Sequence, residues 1–181
     1  MHSKVRIKTR LIAGPIMEPI TLEEAKLYLR VSNNKEDSLI ISLIKATRNL
    51  AENYLKVSFL TQEWQAYCID FVSGNILLPK GPIQSIESIF TFQNNGKKSL
   101  IAPEIYDLNK LDDTLYFKFP IINQALYINY TTGCKKISDI SEGIKQALKE
   151  HIAYIYDGRG NLSSIPSHVK EIYNSFRKIL L

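Results

Sequence analysis

The side chains that could do chemistry are few. The 181-residue chain has three histidines, His2, His151 and His168, and two cysteines, Cys68 and Cys134. No histidine stands at the spacing of an HExxH helix or a zinc knuckle. His151 falls on the apolar stripe of a predicted helix and reads as an interface histidine, an ordinary partly buried residue. His168 sits near a helix start and reads as exposed. The strand around Cys68 supplies no basic neighbour that would favour the thiolate. Glu23-Glu24 and Asp112-Asp113 are adjacent acids, but adjacent residues on a helix or strand point apart, whereas an acid–base pair must converge. Gly74, Gly81, Gly96, Gly133, Gly158 and Gly160 are isolated turn glycines rather than a phosphate loop, and no GxSxG elbow is present. These residues predict no enzyme, no metal site and no cofactor.

Charge points to docking instead. Lys4, Arg6, Lys8 and Arg10 place four of the 23 basic residues in the first ten positions, with no acid among them, and leave 19 basic against 18 acidic side chains elsewhere. The chain is a near-neutral body with a basic arm. A protein that grips a duplex over a broad face needs its cations spread across that face. Trp64, Tyr106, Tyr116, Tyr127 and Tyr130 could form a stacking surface for single strands. However, Lys97, Lys98, Lys110 and Lys118 are interspersed with Glu87, Glu104, Asp107, Asp112 and Asp113, so core and cross-strand packing is the simpler reading. A nucleic-acid-binding module using the basic arm and these aromatics stands as the alternative.

The elements that would position these groups fall into three blocks. In the arm, Val5, Ile7, Thr9 and Leu11 alternate with Arg6, Lys8 and Arg10, as in a strand. It would be either an edge of the molecule's own sheet or an addition to a neighbour's sheet. The stretch TLEEAKLYLR then carries a capping box, with Thr21 as cap and Glu24 three residues on. Leu22, Ala25 and Leu29 share one face, with Leu27 and Tyr28 beside it. Asp37 or Ser38 can cap a second helix whose apolar residues run from Leu39/Ile40 through Leu43/Ile44, Thr47 and Leu50/Ala51 to Tyr54/Leu55.

After Val57 the period changes to two. Trp64, Ala66 and Cys68 alternate with Tyr67, Ile69 and Phe71, and Asn94-Asn95-Gly96 is a hairpin signal. Six or seven short antiparallel strands are expected between about residues 60 and 132. Helical period returns with Ile144, Ala147/Leu148, His151/Ile152 and Ile155, capped somewhere in Ser138–Ser141. A last helix starts at Pro166-Ser167 with the stripe Val169, Ile172/Tyr173, Phe176 and Leu180. The predicted fold class is α+β, a four-helix core with an antiparallel β insert between helices 2 and 3. The expected division is an arm over 1–20, helices 1 and 2 over 21–58, the insert over 59–133 and helices 3 and 4 over 134–181. No apolar run reaches the roughly 18 residues of a membrane span. MHSKVRIKTRLIAGP lacks a secretory apolar stretch, so a cytosolic chain with reduced thiols is expected.

The stretches EPITLEEAKLYLRV, EDSLIISLIKATRNLAENYL, FLTQEWQ, ILLPKGPIQSIESI, INYTTG and IKQALKEHIAYIYDGRG, in this order and spacing, resemble the head–tail connector (adaptor, or head-completion) proteins of tailed phages. The resemblance runs from about Ile12 to Arg159 and is to the long form with a β insert, a family also used by prophages and gene-transfer particles. It implies a structural virion protein with no reaction and no cofactor. Such proteins form a ring under the portal, extend the channel through which DNA passes, and dock a tail-side stopper or tail-completion protein. By resemblance the ring is a dodecamer in the particle, and many such subunits stay monomeric in the host cytoplasm until the portal templates them. Family members often run on past the last helix into a portal-binding tail. With Leu181 as the last residue, portal contact is expected to fall to Arg177 and Lys178 in FRKIL or to Lys4, Arg6, Lys8 and Arg10.

Overall fold

The computed structural model describes residues 6–71, 74–93, 96–121, 124–158 and 165–177. The chain forms two compact units, one from residues 1–15 with 61–134 and the other from 16–60 with 135–181.

Among the described residues four α-helices build the second unit: α1 (Leu22–Leu29), α2 (Asp37–Leu55), α3 (Glu142–Asp157) and α4 (Ser167–Ser175). The capping box forms as its residue types dictate. Thr21 Oγ1 accepts the Glu24 amide at 3.1 Å, and Glu24 Oε2 accepts the Thr21 amide at 2.8 Å. The expected cap of α2 does not form, because Glu36 occupies the cap position and makes no side-chain bond there. Asp37 lies inside the first turn, where its Oδ1 accepts Lys26 Nζ at 2.7 Å. Ser141 likewise caps α3 by position only. Ile40, Leu43, Ile44, Ala51 and Leu55 of α2 are buried, as are Ile144, Ala147, Leu148, Ile152 and Ile155 of α3 and Val169 and Tyr173 of α4. Each large apolar side chain so buried contributes about 1.5–3 kcal/mol. The short α1 buries only Ala25, and Leu27, expected beside the buried face, is 82% exposed.

A buried ion pair ties this unit's connections to α2. Arg48 Nε bonds Glu18 Oε2 at 2.6 Å, ahead of α1, and Arg48 Nη1 bonds Glu52 Oε2 at 2.9 Å. The other Glu52 oxygen accepts the Phe59 amide at 2.8 Å, just beyond α2.

The first unit is all antiparallel. Its strands are β1 (Arg6–Ala13), β2 (Gln62–Phe71), β3 (Asn75–Leu77), β4 (Ile83–Phe92), β5 (Lys98–Ile101), β6 (Tyr106–Asn109), β7 (Thr114–Phe117) and β8 (Gln124–Thr132). They form one sheet of order β1-β2-β8-β4-β5 and another of order β3-β7-β6. Ala66, Cys68, Phe71, Ile89, Leu126, Ile128 and Tyr130 of the first sheet share one buried cluster with Ile76 and Leu115 of the second. The arm is thus an edge strand of the molecule's own sheet, with Ile7 opposite Cys68 and Leu11 opposite Trp64. One parity expectation fails. Phe71 does not stay on the side of Tyr67 and Ile69, because the β2–β8 register slips between Cys68 and Phe71. A bulge of this kind re-aims the residues beyond it, and Phe71 is fully buried against Phe117, ring centres 5.1 Å apart. In the β4–β5 hairpin Asn94 and Asn95 lie outside the described residues, while Gly96 has φ +78° and its amide bonds Gln93 O at 2.8 Å.

Candidate interaction surfaces

Several of the groups with chemical potential are occupied structurally. His151 is fully buried with Nδ1 3.5 Å from the Tyr173 hydroxyl. Burial, reinforced by the His168 charge, pushes its pKa down to about 4. His168 is exposed and stands 3.9 Å from Glu150 Oε2, and His2 lies outside the described residues. Burial pushes the Cys68 thiol up to about 12, the direction opposite to an activated nucleophile. Glu24 completes the helix cap, and the two aspartates diverge: Asp112 accepts the Thr114 amide at 3.0 Å and Asp113 the Ile83 amide at 2.8 Å. Among the described residues no cluster of histidine, cysteine and acidic side chains is placed to hold a metal, and no helix is long and apolar enough to cross a membrane.

The open surfaces carry more. Residue parity on β1 puts Arg6, Lys8 and Arg10 in one row on the outer face of the five-stranded sheet, all exposed. Their neighbours on β2 are Ile69, Tyr67 and Gln65. Arg10 Nη2 reaches Gln65 Oε1 at 3.4 Å. Lys4 and Lys178 lie outside the described residues. Arg177 belongs to the helical unit, just past α4, with its guanidinium carbon 5.7 Å from the Tyr54 ring centre. The Tyr54 hydroxyl in turn donates to Asn174 Oδ1 at 2.8 Å.

The aromatics singled out for stacking do not assemble together. Trp64 and Tyr130 face the core cluster, Tyr106 packs against it, and Tyr116 points outward from the three-stranded sheet. Only Tyr127 of that set lies on the outer face of the five-stranded sheet, where Tyr67, Phe90 and Phe92 join it. That grouping was missed because it requires β2 beside β8 and β8 beside β4, an order that strand parity alone does not reveal. The helical unit also holds an apolar groove of about 210 Å³ lined by Ile20, Leu22, Ile41, Ile44 and Ile137.

Among the described residues the structure brings together no converging set of reactive groups, and its exposed faces carry the basic and aromatic rows instead. The chain belongs to the head completion protein family, whose model matches residues 18–164. The role of that family in the virion is structural and not enzymatic. No curated protein matches the chain. Among solved structures, it is similar to a chain in the neck of an empty gene transfer agent particle computed with C6 symmetry, at 15% identity and TM-score 0.80, covering 96% of this chain and 97% of that one. A chain in the virion of the native gene transfer agent particle gives 15% identity and TM-score 0.75, covering 96% of both chains. A chain in the native neck computed with C12 symmetry gives 12% identity and TM-score 0.74, covering 96% and 97%. The α+β fold of four helices with antiparallel sheets is therefore that of a neck protein.

Proposed function

We infer that the chain is a connector subunit that forms a ring under the portal of a phage, prophage or gene-transfer particle. The ring extends the DNA channel and docks the next tail-side protein, a stopper or tail-completion protein. The observation that carries this reading is the family match combined with a fold shared, over almost the whole chain, with neck components computed under C6 and C12 symmetry. A ring subunit needs two different, mutually complementary surfaces. Two compact units with unlike surfaces supply candidates for both. A lumen that lets DNA slide must not hold it, and a body with 19 basic and 18 acidic side chains outside the arm suits that demand. Twelve subunits, matching the portal, would make the assembled ring, from chains that are monomeric in the host cytoplasm and become part of the virion.

In this reading Lys4, Arg6, Lys8 and Arg10 dock on an acidic neighbour, the portal or the adjacent subunit, and Arg177 and Lys178 form a second contact. The nucleic-acid alternative lacks comparable support, since its proposed aromatics are divided between the core and two separate sheets. The test replaces all four arm cations by glutamine and measures the yield of assembled particles alongside the circular dichroism of the isolated chain. A folded monomer with impaired ring or portal assembly is expected. An undiminished yield of complete heads would remove the arm from the docking role.

A further inference from the structure

The outer face of the five-stranded sheet has an organisation beyond its basic row. Across the strands, Tyr67 pairs with Tyr127 and Tyr127 with Phe90. The Tyr127 ring stacks on Phe90 at 5.1 Å with 7° between planes. Tyr67 leans on it at 4.8 Å, and Phe92 meets it edge-on at 5.3 Å. Lys98 Nζ sits 4.0 Å from the centre of the Phe90 ring, at the β5 edge. Lys8, opposite Tyr67, flanks the same row at the β1 edge. The next row is polar and fixed: Gln65 Nε2 donates to Asn129 Oδ1 at 2.8 Å, and Asn129 Nδ2 to Ser88 Oγ at 2.9 Å. Among the described side chains the acids of this face, Glu63 and Glu87, lie towards the far end of the strands, where Glu87 is held by Ser85 and Thr131. Among the described residues no strand lies beside the outer edge of β1 in the sheet order.

We propose that this face is a docking site for an extended acidic segment of a partner protein, seated on Tyr67, Tyr127 and Phe92, which pack around the buried Phe90, with its carboxylates between Lys8, Arg10 and Lys98. Three features select that occupant. Cations bound the aromatic row at both sheet edges, so complementarity calls for negative charge along it. The aromatic rings are stacked on one another, so a nucleic-acid base finds ring edges and phenol hydroxyls instead of the open ring faces that single-strand binding uses. Rigid tyrosines beside an arginine are what protein contacts use for anchoring.

The site deepens the docking role inferred above and rests on it only for the identity of the partner. The test is therefore made on the isolated full chain. A short synthetic peptide alternating glutamate with valine is titrated in, and the side-chain amide signals of Gln65 and Asn129 are followed by nuclear magnetic resonance. They are expected to shift together with the Arg6–Ala13 backbone amides. The apparent affinity should fall about tenfold in Tyr127→Ala, as truncation of an interface anchor does. Should that variant fail to fold, the exposed pair Lys8→Glu and Arg10→Glu carries the test and should abolish the shifts. Signals unmoved by the peptide, or moved equally by a lysine–valine peptide, overturn the proposal. So does a response to single-stranded oligothymidine with the acidic peptide silent, which would assign the face to nucleic acid. Shifts on concentrating the protein alone would assign it to a second copy. Any of these outcomes leaves particle assembly, read separately, as the measure of the connector role.

Discussion

Acid should weaken the helical unit through one residue, His151. In the folded chain the imidazole is fully buried between α3 and α4, beside the Tyr173 hydroxyl and near His168, and its pKa lies at about 4 against an ordinary 6.5. Above pH 6.5 both states hold the ring neutral and it makes no difference. As pH falls through the interval, the unfolded chain takes up a proton that the folded chain refuses, so stability declines; below about pH 4 the decline stops. Each unit of pH in that interval is worth about 1.4 kcal/mol, so the full loss is about 3 kcal/mol. His151→Leu keeps a similar volume and removes the titrating group, at a pH-independent cost of about 1 kcal/mol for the Tyr173 hydroxyl. The assay is urea unfolding of both proteins across this pH range, followed by far-ultraviolet circular dichroism. That signal reports on the helices, whereas fluorescence of the single tryptophan, Trp64, reports on the sheets. Carboxylates titrate alike in both proteins and cancel in the difference, so the two stability curves should converge and cross on acidification. Curves that stay parallel would refute the assignment of the acid sensitivity to His151.

Two further outcomes test the packing. In Gly81→Ala the new methyl would lie 2.0 Å from Asp113 Oδ2 and displace the carboxylate that holds the Ile83 amide; a loss of about 2–3 kcal/mol is expected, read from Trp64 fluorescence in denaturant. Arg48→Ala strands Glu52 in a buried site and releases Glu18; it should cost about 3–5 kcal/mol by circular dichroism, and Glu18→Gln clearly less.

What could be read from residues alone followed the range of the interactions involved. The capping box of α1 and the stripes of α2 and α3 are local, so spacing reveals them. So is the alternation of Arg6, Lys8 and Arg10 with Ile7, Thr9 and Leu11, which the strand realises. Phe71 escaped because a register slip is set by the partner strand, and parity counted along β2 alone carries it to the wrong side. Leu27 escaped because an eight-residue helix buries one side chain here, fewer than its apolar content suggests. The Tyr67–Tyr127–Phe90–Phe92 row escaped for the deeper reason that β2, β8 and β4 become neighbours only through long connections. The divergence of the paired acids was legible because adjacent side chains point apart, whereas the partner of Asp113, the Ile83 amide, lies thirty residues away and was not.

The sheet unit takes its first strand from before the helices and the rest from between them. During synthesis, Arg6–Ala13 therefore emerges well ahead of β2 and must wait, unpaired, while α1 and α2 are made. The α2 stripe similarly waits for α3, which follows the last strand. Neither body can be excised as a continuous piece of gene without robbing the other. Recombination between related particles should consequently exchange this protein whole.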